Sequence, residues 1–446
     1  MPARSNISEL SALVHTLVKW SALGGFVGVV SGSASAVFLL SLTWATSFQA
    51  NHSWLLFLLP VAGIGISLVY SNWGKSVEGG QNLLLETIHN PEAAIPFRMA
   101  PLILLSTIVT HLFGGSAGRE GTAVQMGGTL ATLAKGLFRL SNSDHRILIM
   151  SGISGGFGSV FGTPLAGTVF GIEAITVGRL SYEALIPCFV ASVIGDIVCR
   201  SLGVHHTHLT VNTIPVLSSK VWLAIGVASA LFASCSRLFI GATRFVANLS
   251  QQFIKPDWMR PFVGGVILIG LTLSVHSRDY NGLSLGLISQ SFTPQGVLLG
   301  AFALKILFTA VTLGTGFKGG EVTPLFCIGA TSGAAFAQIT GQPTAFFAAL
   351  GFVAIFAGAA NTPLASTLLG IELFGAQMAV PIAAACIISY ILSGHRGIYQ
   401  SQQIHTTKSQ SVQISQGLEL RKVGLDSLKI HRHGIGRILA RRRKNR

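Results

Sequence analysis

The sequence predicts an all-α polytopic membrane protein made of two related halves with broken and re-entrant helices. Half of the 446 residues are hydrophobic and only 10% are charged, against about 25% charged residues in ordinary soluble domains. Apolar stretches recur along the chain from residue 20 to residue 393. A segment of the first half is also repeated in the second half. These observations together nearly exclude a water-soluble globular protein.

The apolar stretches differ in length, and several are too short to cross a membrane alone. A straight span needs about 20 residues, whereas the stretches 101–113 and 122–138 are shorter and end at Gly-rich sequence. Irregular backbone at membrane depth is tolerated only where protein or a water-filled cavity surrounds it. We therefore expect half-helices that meet inside the protein.

The formal net charge of +15 is concentrated at the end of the chain. Residues 395–446 contain twelve basic and two acidic residues, so this segment carries +10 of the total. Basic segments stay on the cytoplasmic side of membranes, which predicts a multi-pass protein of the cell inner membrane with a cytoplasmic C-terminus. We divide the chain into a cytoplasmic N-terminus (1–19), a first membrane repeat (20–210), a second membrane repeat (211–395) and a basic cytoplasmic tail (396–446).

The internal repeat is visible at a constant offset of 199 residues. Thr163–Ala166 and Thr362–Ala365 both read Thr-Pro-Leu-Ala, and Gly171–Glu173 and Gly370–Glu372 both read Gly-Ile-Glu. Eight of the eleven positions in this block are identical. Duplicated membrane proteins with broken helices at matching positions carry a transport site between the repeats. Because the glutamates at the end of the block are duplicated, we expect structural acids that bond to helix ends rather than proton carriers.

The first candidate for chemistry is the stretch Gly118-Arg119-Glu120-Gly121-Thr122, which separates two apolar runs. A charge at the centre of a membrane helix costs about 2.5 to 3.5 kcal/mol, so Glu120 is a functional candidate. A helix that opens at Glu120 would offer unpaired N–H groups and a positive dipole end. A carboxylate there can compete with a bound anion and leave when protonated. The alternative is a structural ion pair between Glu120 and Arg119.

Two further Gly-opened helix starts match the first. One is Gly320-Glu321-Val322-Thr323-Pro324 in the second half, and the other is Gly79-Gly80-Gln81-Asn82. The anion-binding candidates in these three stretches are Gly118, Arg119, Gly121, Thr122, Gln81, Asn82, Gly320, Glu321, Val322 and Thr323. Three such starts could converge on one small anion. Taken singly, each could instead be a packing or turn feature.

On these motifs the chain resembles the CLC family of anion channels and proton-coupled antiporters over roughly residues 20 to 400. Gly118–Gly121 reproduces the start of the family motif G-R-E-G-P, with Thr122 in place of Pro. The second-half stretch keeps the Gly and Pro of G-x-F-x-P, with Val322 in place of Phe. The motif G-S-G-I-P is missing, and Gly79–Asn82 lies in its region. These departures are similar to the fluoride/proton antiporter branch.

The resemblance implies an inverted repeat, a homodimer with one pathway per subunit, and Glu120 as the protonatable gate. It also implies that the phenol of Tyr399 faces the inner end of the anion path, although an interfacial aromatic anchor is the alternative. Many chloride antiporters carry a second proton-transfer glutamate where this chain has Ala174. The proton path must then rest on Glu120, with Glu321 or a bound fluoride as a further carrier.

The sequence therefore predicts a secondary active transporter, not an enzyme, that exports fluoride from the cytoplasm in exchange for protons. HF is a weak acid, so fluoride accepts a proton from a carboxylic acid far more readily than chloride does. The alternative is a chloride/proton antiporter or a passive chloride channel of the same fold. The expected partners are fluoride, protons, the lipid bilayer and a second copy of the chain. We expect no cofactor, no metal ion and no nucleic acid.

Overall fold

The computed structural model of the protein describes residues 2–90, 93–206, 209–423 and 429–430. α-Helices dominate this part of the chain. They are α1 (Pro2–Asn51), α2 (Leu59–Val69), α3 (Gln81–His89), α4 (Met99–Leu112), α5 (Glu120–Leu137), α6 (Asn142–Phe161), α7 (Pro164–Glu173), α8 (Leu185–Ser201), α9 (Ser219–Phe253), α10 (Met259–Val275), α11 (Leu285–Gln290), α12 (Ala301–Gly314), α13 (Val322–Thr340), α14 (Thr344–Ala360), α15 (Pro363–Phe374) and α16 (Ala379–Leu392). The all-α prediction is confirmed.

Five helical stretches of the described residues are long and apolar enough to cross a membrane. They are Ser8–Asn51, Ser53–His89, Tyr182–Ser201, Ser219–Phe253 and Val322–Thr340. Other apolar helices, such as α4 and α12, have only 14 residues. At 1.5 Å per residue they reach about 21 Å, less than the roughly 30 Å of a bilayer core. The predicted mixture of full spans and shorter helices is therefore present.

The repeated Thr-Pro sequences break the chain at equivalent places in the two halves. Gly162 ends α6 with φ = 71°, and Pro164 opens α7. In the second half Asn361 ends α14 with φ = 59°, and Pro363 opens α15. Proline suits the first turn of a helix because no backbone donor is lost there. The apolar stretch at 147–177 is thus two helices joined by a tight turn.

Small residues allow the helices of each half to pack at very short range. A side-chain carbon built on Gly127 of α5 would lie 2.2 Å from the carbonyl oxygen of Gly152 on α6. In the second half, the same addition to Gly329 of α13 would lie 2.1 Å from the carbonyl oxygen of Gly351 on α14. Close backbone approach is a main source of helix association inside membranes. Much of the glycine content therefore serves packing.

Glu173 and Glu372, the duplicated glutamates, exchange equivalent contacts between the halves. The carboxylate of Glu173 accepts the backbone N–H groups of Leu364 and Ala365 at the start of α15, at 3.0 and 2.8 Å. The carboxylate of Glu372 accepts those at the start of α7, at 2.9 and 2.8 Å. Each acid satisfies donors that a helix leaves unpaired at its N-terminus. Their expected structural role is confirmed, and the reciprocity is that of an approximate two-fold axis.

Five short strands accompany the helices in the described part of the chain. They are β1 (Thr176–Val177), β2 (Gln403–Ile404), β3 (Val412–Gln413), β4 (Leu418–Glu419) and β5 (Lys429–Ile430). β2 lies between β1, to which it is parallel, and β4, to which it is antiparallel, while β3 pairs with β5. The segment from residue 396, predicted to be a basic cytoplasmic tail, therefore packs partly against the membrane repeats, since β2 pairs with β1 of the first repeat. Residues 424–428 and 431–446 of the predicted tail lie outside the described residues.

Candidate functional site

The Gly-rich stretches of the two halves meet at Gly118 and Gly320. Gly118 donates its N–H to the carbonyl oxygen of Gly320 at 2.7 Å, and Gly320 donates its own N–H to Gly118 at 2.8 Å. A side-chain carbon on Gly118 would lie 2.8 Å from the Cδ atom of Pro324 and 3.0 Å from the backbone nitrogen of Thr323. The two positions thus need glycine because two backbones touch there.

The third Gly-opened start joins the same junction. A side-chain carbon on Gly121 would lie 2.7 Å from Nε2, the side-chain amide nitrogen of Gln81, and 3.0 Å from the Cα atom of Gly320. Gln81 is the first residue of α3. Helix α5 begins at Glu120 and helix α13 at Val322. The N-termini of α3, α5 and α13 therefore converge within the protein, each with a positive dipole end.

Glu120 is buried at this junction, with only 1% of its surface exposed. Its Oε2 atom accepts the backbone N–H of Thr323 at 2.9 Å, a short hydrogen bond from the Thr323 hydroxyl, and the backbone N–H of Arg119 at 3.3 Å. Its Oε1 atom lies 3.4 Å from Nε of Arg119. The ion pair with Arg119 therefore exists, but Thr323 provides the shorter contacts.

The contact with Thr323 places a negative charge on the N-terminus of a helix from the other half. Thr323 is the second residue of α13, so its N–H is one of the four that no carbonyl within the helix can accept. Such a group, together with the helix dipole, forms a binding position for an anion. In this conformation the Glu120 carboxylate occupies that position.

Two cavities lie next to the junction. The first, named here the Glu120 cavity, measures about 60 Å³ and is lined by apolar side chains and by the polar residues Arg119, Glu120, His206, Ser289 and Thr323. The second, named the Tyr399 cavity, measures about 230 Å³ and includes Gly320 and Tyr399 in its lining. Gln81, Asn82 and Glu321 also line the Tyr399 cavity. Gly320 of the junction thus lines the Tyr399 cavity, and Glu120 lines the other.

Tyr399 is buried in the wall of the Tyr399 cavity rather than exposed on the protein surface. Its side chain is 4% exposed, and its ring centroid lies 6.2 Å from that of Phe170. Among the described residues, no group hydrogen-bonds to its hydroxyl. An exposed interfacial anchor is therefore not its position in this conformation, and its phenol is available to a ligand.

Of the remaining predicted residues, Thr122 and Asn82 have side-chain hydrogen-bond partners within the protein. The Thr122 hydroxyl lies 2.8 Å from the hydroxyl of Thr107 on α4. The side-chain oxygen of Asn82 accepts the backbone N–H of Ser401 at 3.0 Å. Val322 is apolar and 2% exposed, at the opening of α13. Of the hydroxyl groups proposed from the sequence, that of Thr323 directly contacts Glu120.

The turn before Glu120 is held by residues that the sequence motifs do not indicate. The ring of the buried His111 lies between two carbonyl oxygens, with Nδ1 at 2.8 Å from Thr107 and Nε2 at 3.0 Å from Ala117. The side chain of Asn281 donates to the carbonyl oxygen of Gly114 at 2.7 Å. A polar side chain inside an apolar run is the one local signal that could have identified His111.

The fold and the junction define a polytopic membrane transport protein with two related halves. The sequence matches the family model described as "Voltage gated chloride channel" over residues 62–394. This range is more than half of the chain, and the chain belongs to that family, the CLC family. The resemblance inferred from the motifs is therefore confirmed.

Individual relatives agree with this assignment. A protein of Pseudomonas syringae pv. tomato named "Chloride/fluoride channel protein" is 46% identical over 404 residues, which are 89% of each chain. A crystal structure of a CLC-type fluoride/proton antiporter has a TM-score of 0.84 and 32% identity, and the match covers 87% of this chain and 98% of the other. The "H(+)/Cl(-) exchange transporter ClcA" of Vibrio cholerae is 29% identical and matches 71% of this chain and 73% of its own.

Proposed function

We propose that the protein is a fluoride/proton antiporter that exports fluoride from the cytoplasm, with Glu120 as its protonatable gate. One observation carries the proposal. A single carboxylate oxygen, Oε2 of Glu120, accepts hydrogen bonds from the backbone N–H and the hydroxyl of Thr323 and from the backbone N–H of Arg119. A position with three donors around one small acceptor atom suits one small anion.

Protonation of Glu120 provides the coupling step. An ionised carboxylate forms charge-assisted hydrogen bonds that are roughly twice as strong as neutral ones. When Glu120 takes up a proton, its attraction to the α13 N-terminus falls and the donors of Thr323 become free for an anion. When the anion has left and Glu120 has passed its proton on toward the cytoplasm, the ionised carboxylate returns to these donors. Proton binding and anion binding at the same donors are therefore linked, which makes the protein a secondary active transporter rather than an enzyme.

The size of the position favours fluoride over chloride. Fluoride is small and strongly hydrated, so a site must replace its water with short, strong donors. The Thr323 hydroxyl and N–H, which reach one oxygen atom of Glu120, are donors of this kind. The names of the Pseudomonas relative and of the structural neighbour also support fluoride. Chloride remains the second candidate, because the Vibrio relative is named a proton/chloride exchanger.

The path continues through the Tyr399 cavity. The free phenol of Tyr399 donates to the passing anion. Glu321 on the cavity wall, or a bound fluoride that accepts the proton and passes it on while staying in the path, takes the proton inward. The proposed anion-binding groups along the path are Gln81, Asn82, Gly118, Arg119, Gly121, Thr122, Gly320, Glu321, Val322, Thr323 and Tyr399. Neutral dipoles at helix starts dominate this set, so a fixed charge does not trap the anion.

The same proposal includes the setting of the protein. Two inverted membrane repeats, residues 20–210 and 211–395, lie in the cell inner membrane between a cytoplasmic N-terminus and a cytoplasmic basic tail. The reciprocal contacts of Glu173 and Glu372 support a two-fold relation between the repeats. The functional unit is a homodimer with one pathway per subunit.

Anion flux from reconstituted vesicles tests the proposal. Vesicles that contain purified protein are loaded with fluoride or with chloride, and the released anion is measured while the external pH is recorded. We expect fluoride release with proton uptake and much slower chloride release. Fast chloride release with poor fluoride release would contradict the fluoride assignment. Fluoride release without any proton movement would contradict the exchange mechanism and indicate a passive channel.

A further inference from the structure

Lys305 on α12 is a fully buried lysine whose ammonium group is surrounded by oxygen atoms. Nζ donates to the hydroxyls of Ser116 and Ser284 at 2.9 and 2.8 Å, and to the carbonyl oxygens of Gly282 and Tyr280 at 2.9 and 3.2 Å. Within the described part of the chain, none of its hydrogen-bond partners is a carboxylate. Burying a cation is costly unless it is fully hydrogen-bonded, so this position implies a function.

The four oxygen atoms belong to two segments that Lys305 joins. Ser116 lies in the turn 114–118, which connects α4 to the Glu120 end of α5. The other three lie in the loop 280–284, which precedes α11. The side chain of Lys305 therefore ties a first-half turn to a second-half loop, and it does so two residues before Gly118.

Other contacts hold the same turn along its length. Gly282 donates its N–H to the carbonyl oxygen of Gly115 at 3.1 Å. The backbone N–H of Ser116 donates to the Thr312 hydroxyl at 3.0 Å, and the Ser116 hydroxyl lies 3.0 Å from the Thr309 hydroxyl. Residues outside a helix cannot satisfy their backbone groups locally at membrane depth. The turn is thus fixed by long-range partners, and Lys305 is the charged one.

We propose that Lys305 is a positioning residue for the Glu120 gate, and that it acts through the Ser116 hydroxyl. The ammonium group holds the turn 114–118 against the loop 280–284. This turn fixes the position of the backbone contact between Gly118 and Gly320. It also orients the Arg119 N–H that donates to Glu120. Small displacements of positioned groups have large effects on a reacting centre. The inference rests on the proposed exchange at Glu120 and adds a residue that keeps its geometry.

Two serines provide a matched test because both accept a hydrogen bond from the same ammonium group at nearly the same distance. Ser116→Ala removes the hydrogen bond between Lys305 and the turn 114–118, and Ser284→Ala removes the hydrogen bond between Lys305 and the hydroxyl in the loop 280–284. Both variants are reconstituted, and initial anion flux is measured against anion concentration together with the number of protons moved per anion. Elution volume on gel filtration and the thermal unfolding midpoint confirm that each variant is folded.

We expect Ser116→Ala to raise the half-saturating fluoride concentration by about tenfold, the loss typical of one hydrogen bond to a charged group, and to reduce the protons moved per fluoride. Ser284→Ala should stay within about twofold of the wild type in both quantities, because the carbonyl oxygens of Tyr280 and Gly282 still join Lys305 to the loop. Lys305→Met combined with Ser116→Ala should be no worse than Lys305→Met alone, because both remove the same contact.

Equal effects of the two serine variants would overturn the proposal, because Lys305 would then contribute only to stability. Wild-type exchange in Ser116→Ala would also overturn it. The comparison is made with whichever anion the wild-type protein carries. A wild-type protein that carries chloride would therefore contradict the fluoride assignment, while the ratio between the two serine variants would still decide the role of Lys305.

Discussion

Glu120 and Glu173 use the same physical interaction in different surroundings. Each carboxylate accepts backbone N–H groups at the start of a helix that belongs to the other half of the protein. Glu173 uses one oxygen for Leu364 and the other for Ala365, so both oxygen atoms are committed to α15. Glu120 receives three donors on one oxygen atom and lines the Glu120 cavity.

The comparison indicates what distinguishes a structural acid from a gate. A helix N-terminus attracts a carboxylate in both cases, so attraction alone does not define function. Glu173 satisfies two unpaired N–H groups at the start of α15, one with each oxygen atom. Glu372 makes the equivalent contacts at the start of α7. Glu120 has no such duplicate, since Val322 stands at its position when Gly118 is aligned with Gly320, and it borders the Glu120 cavity.

The largest expected effect is that of Glu120→Gln. A glutamine keeps the size of the side chain but cannot bind and release a proton near neutral pH, so coupled exchange should be abolished. Parallel recording of anion release and external pH checks this. Glu173→Gln serves as the matched control, because it makes the same chemical change in an acid with committed contacts. Unchanged coupled exchange in Glu120→Gln would refute the gate assignment.

Gly118→Ala should rank second. Its new carbon would lie 2.8 Å from Pro324 and 3.0 Å from the backbone of Thr323, which forces the two halves apart at the proposed anion-binding junction. We expect transport to fall by at least about tenfold, since even about 1.4 kcal/mol of strain has that effect. Gly226→Ala on α9 is the control, because its added carbon meets no atom within 4 Å. Equal transport in the two variants would show that the junction tolerates expansion.

Thr323→Val tests the hydroxyl donor alone. The substitution keeps the backbone N–H and the shape of the side chain, and it removes the hydrogen bond to Glu120. We expect the half-saturating fluoride concentration to rise by about tenfold, as for loss of a hydrogen bond to a charged group. Concentration-dependent flux measures it. Thr331→Val is the control, because the partners of that hydroxyl among the described residues are only carbonyl oxygens within α13. A similar shift in both variants would count against a specific role for Thr323.

The smallest effect on transport should come from Glu173→Gln. It leaves the N-terminus of α15 with a weaker acceptor, so we expect about 1 to 3 kcal/mol less stability with proton coupling retained. The thermal unfolding midpoint in detergent and the proton-to-anion ratio in vesicles measure the two quantities. Loss of coupling in a stable Glu173→Gln protein would remove the distinction between the two acids.

The helix starts of the site could be predicted from the sequence because their signals are local. Glycine allows the backbone to break between helices, and proline suits the first turn of a helix. Helices α3, α5 and α13 begin where those residues predict. The structural role of Glu173 was also predictable, since its duplication at Glu372 pointed to symmetry rather than to chemistry.

Other contacts could not be predicted because they join distant parts of the chain. Thr323 donates to Glu120 across 203 residues, and Lys305 reaches Ser116 across 189. No spacing rule predicts such pairs, because helix packing alone sets them. The pairing of β2 with β1 has the same origin, since the two-residue strand Gln403–Ile404 has no alternating pattern of its own.

Proton movement against a gradient tests the central claim most directly. Vesicles containing the protein are loaded with fluoride, set to an internal pH below the external pH, and clamped at zero membrane potential. An antiporter must let the outward fluoride gradient draw protons inward, so the interior should become still more acidic. Vesicles with Glu120→Gln should not show this change. If the wild-type protein releases fluoride while the internal pH only rises toward the external value, the account of exchange through Glu120 is wrong.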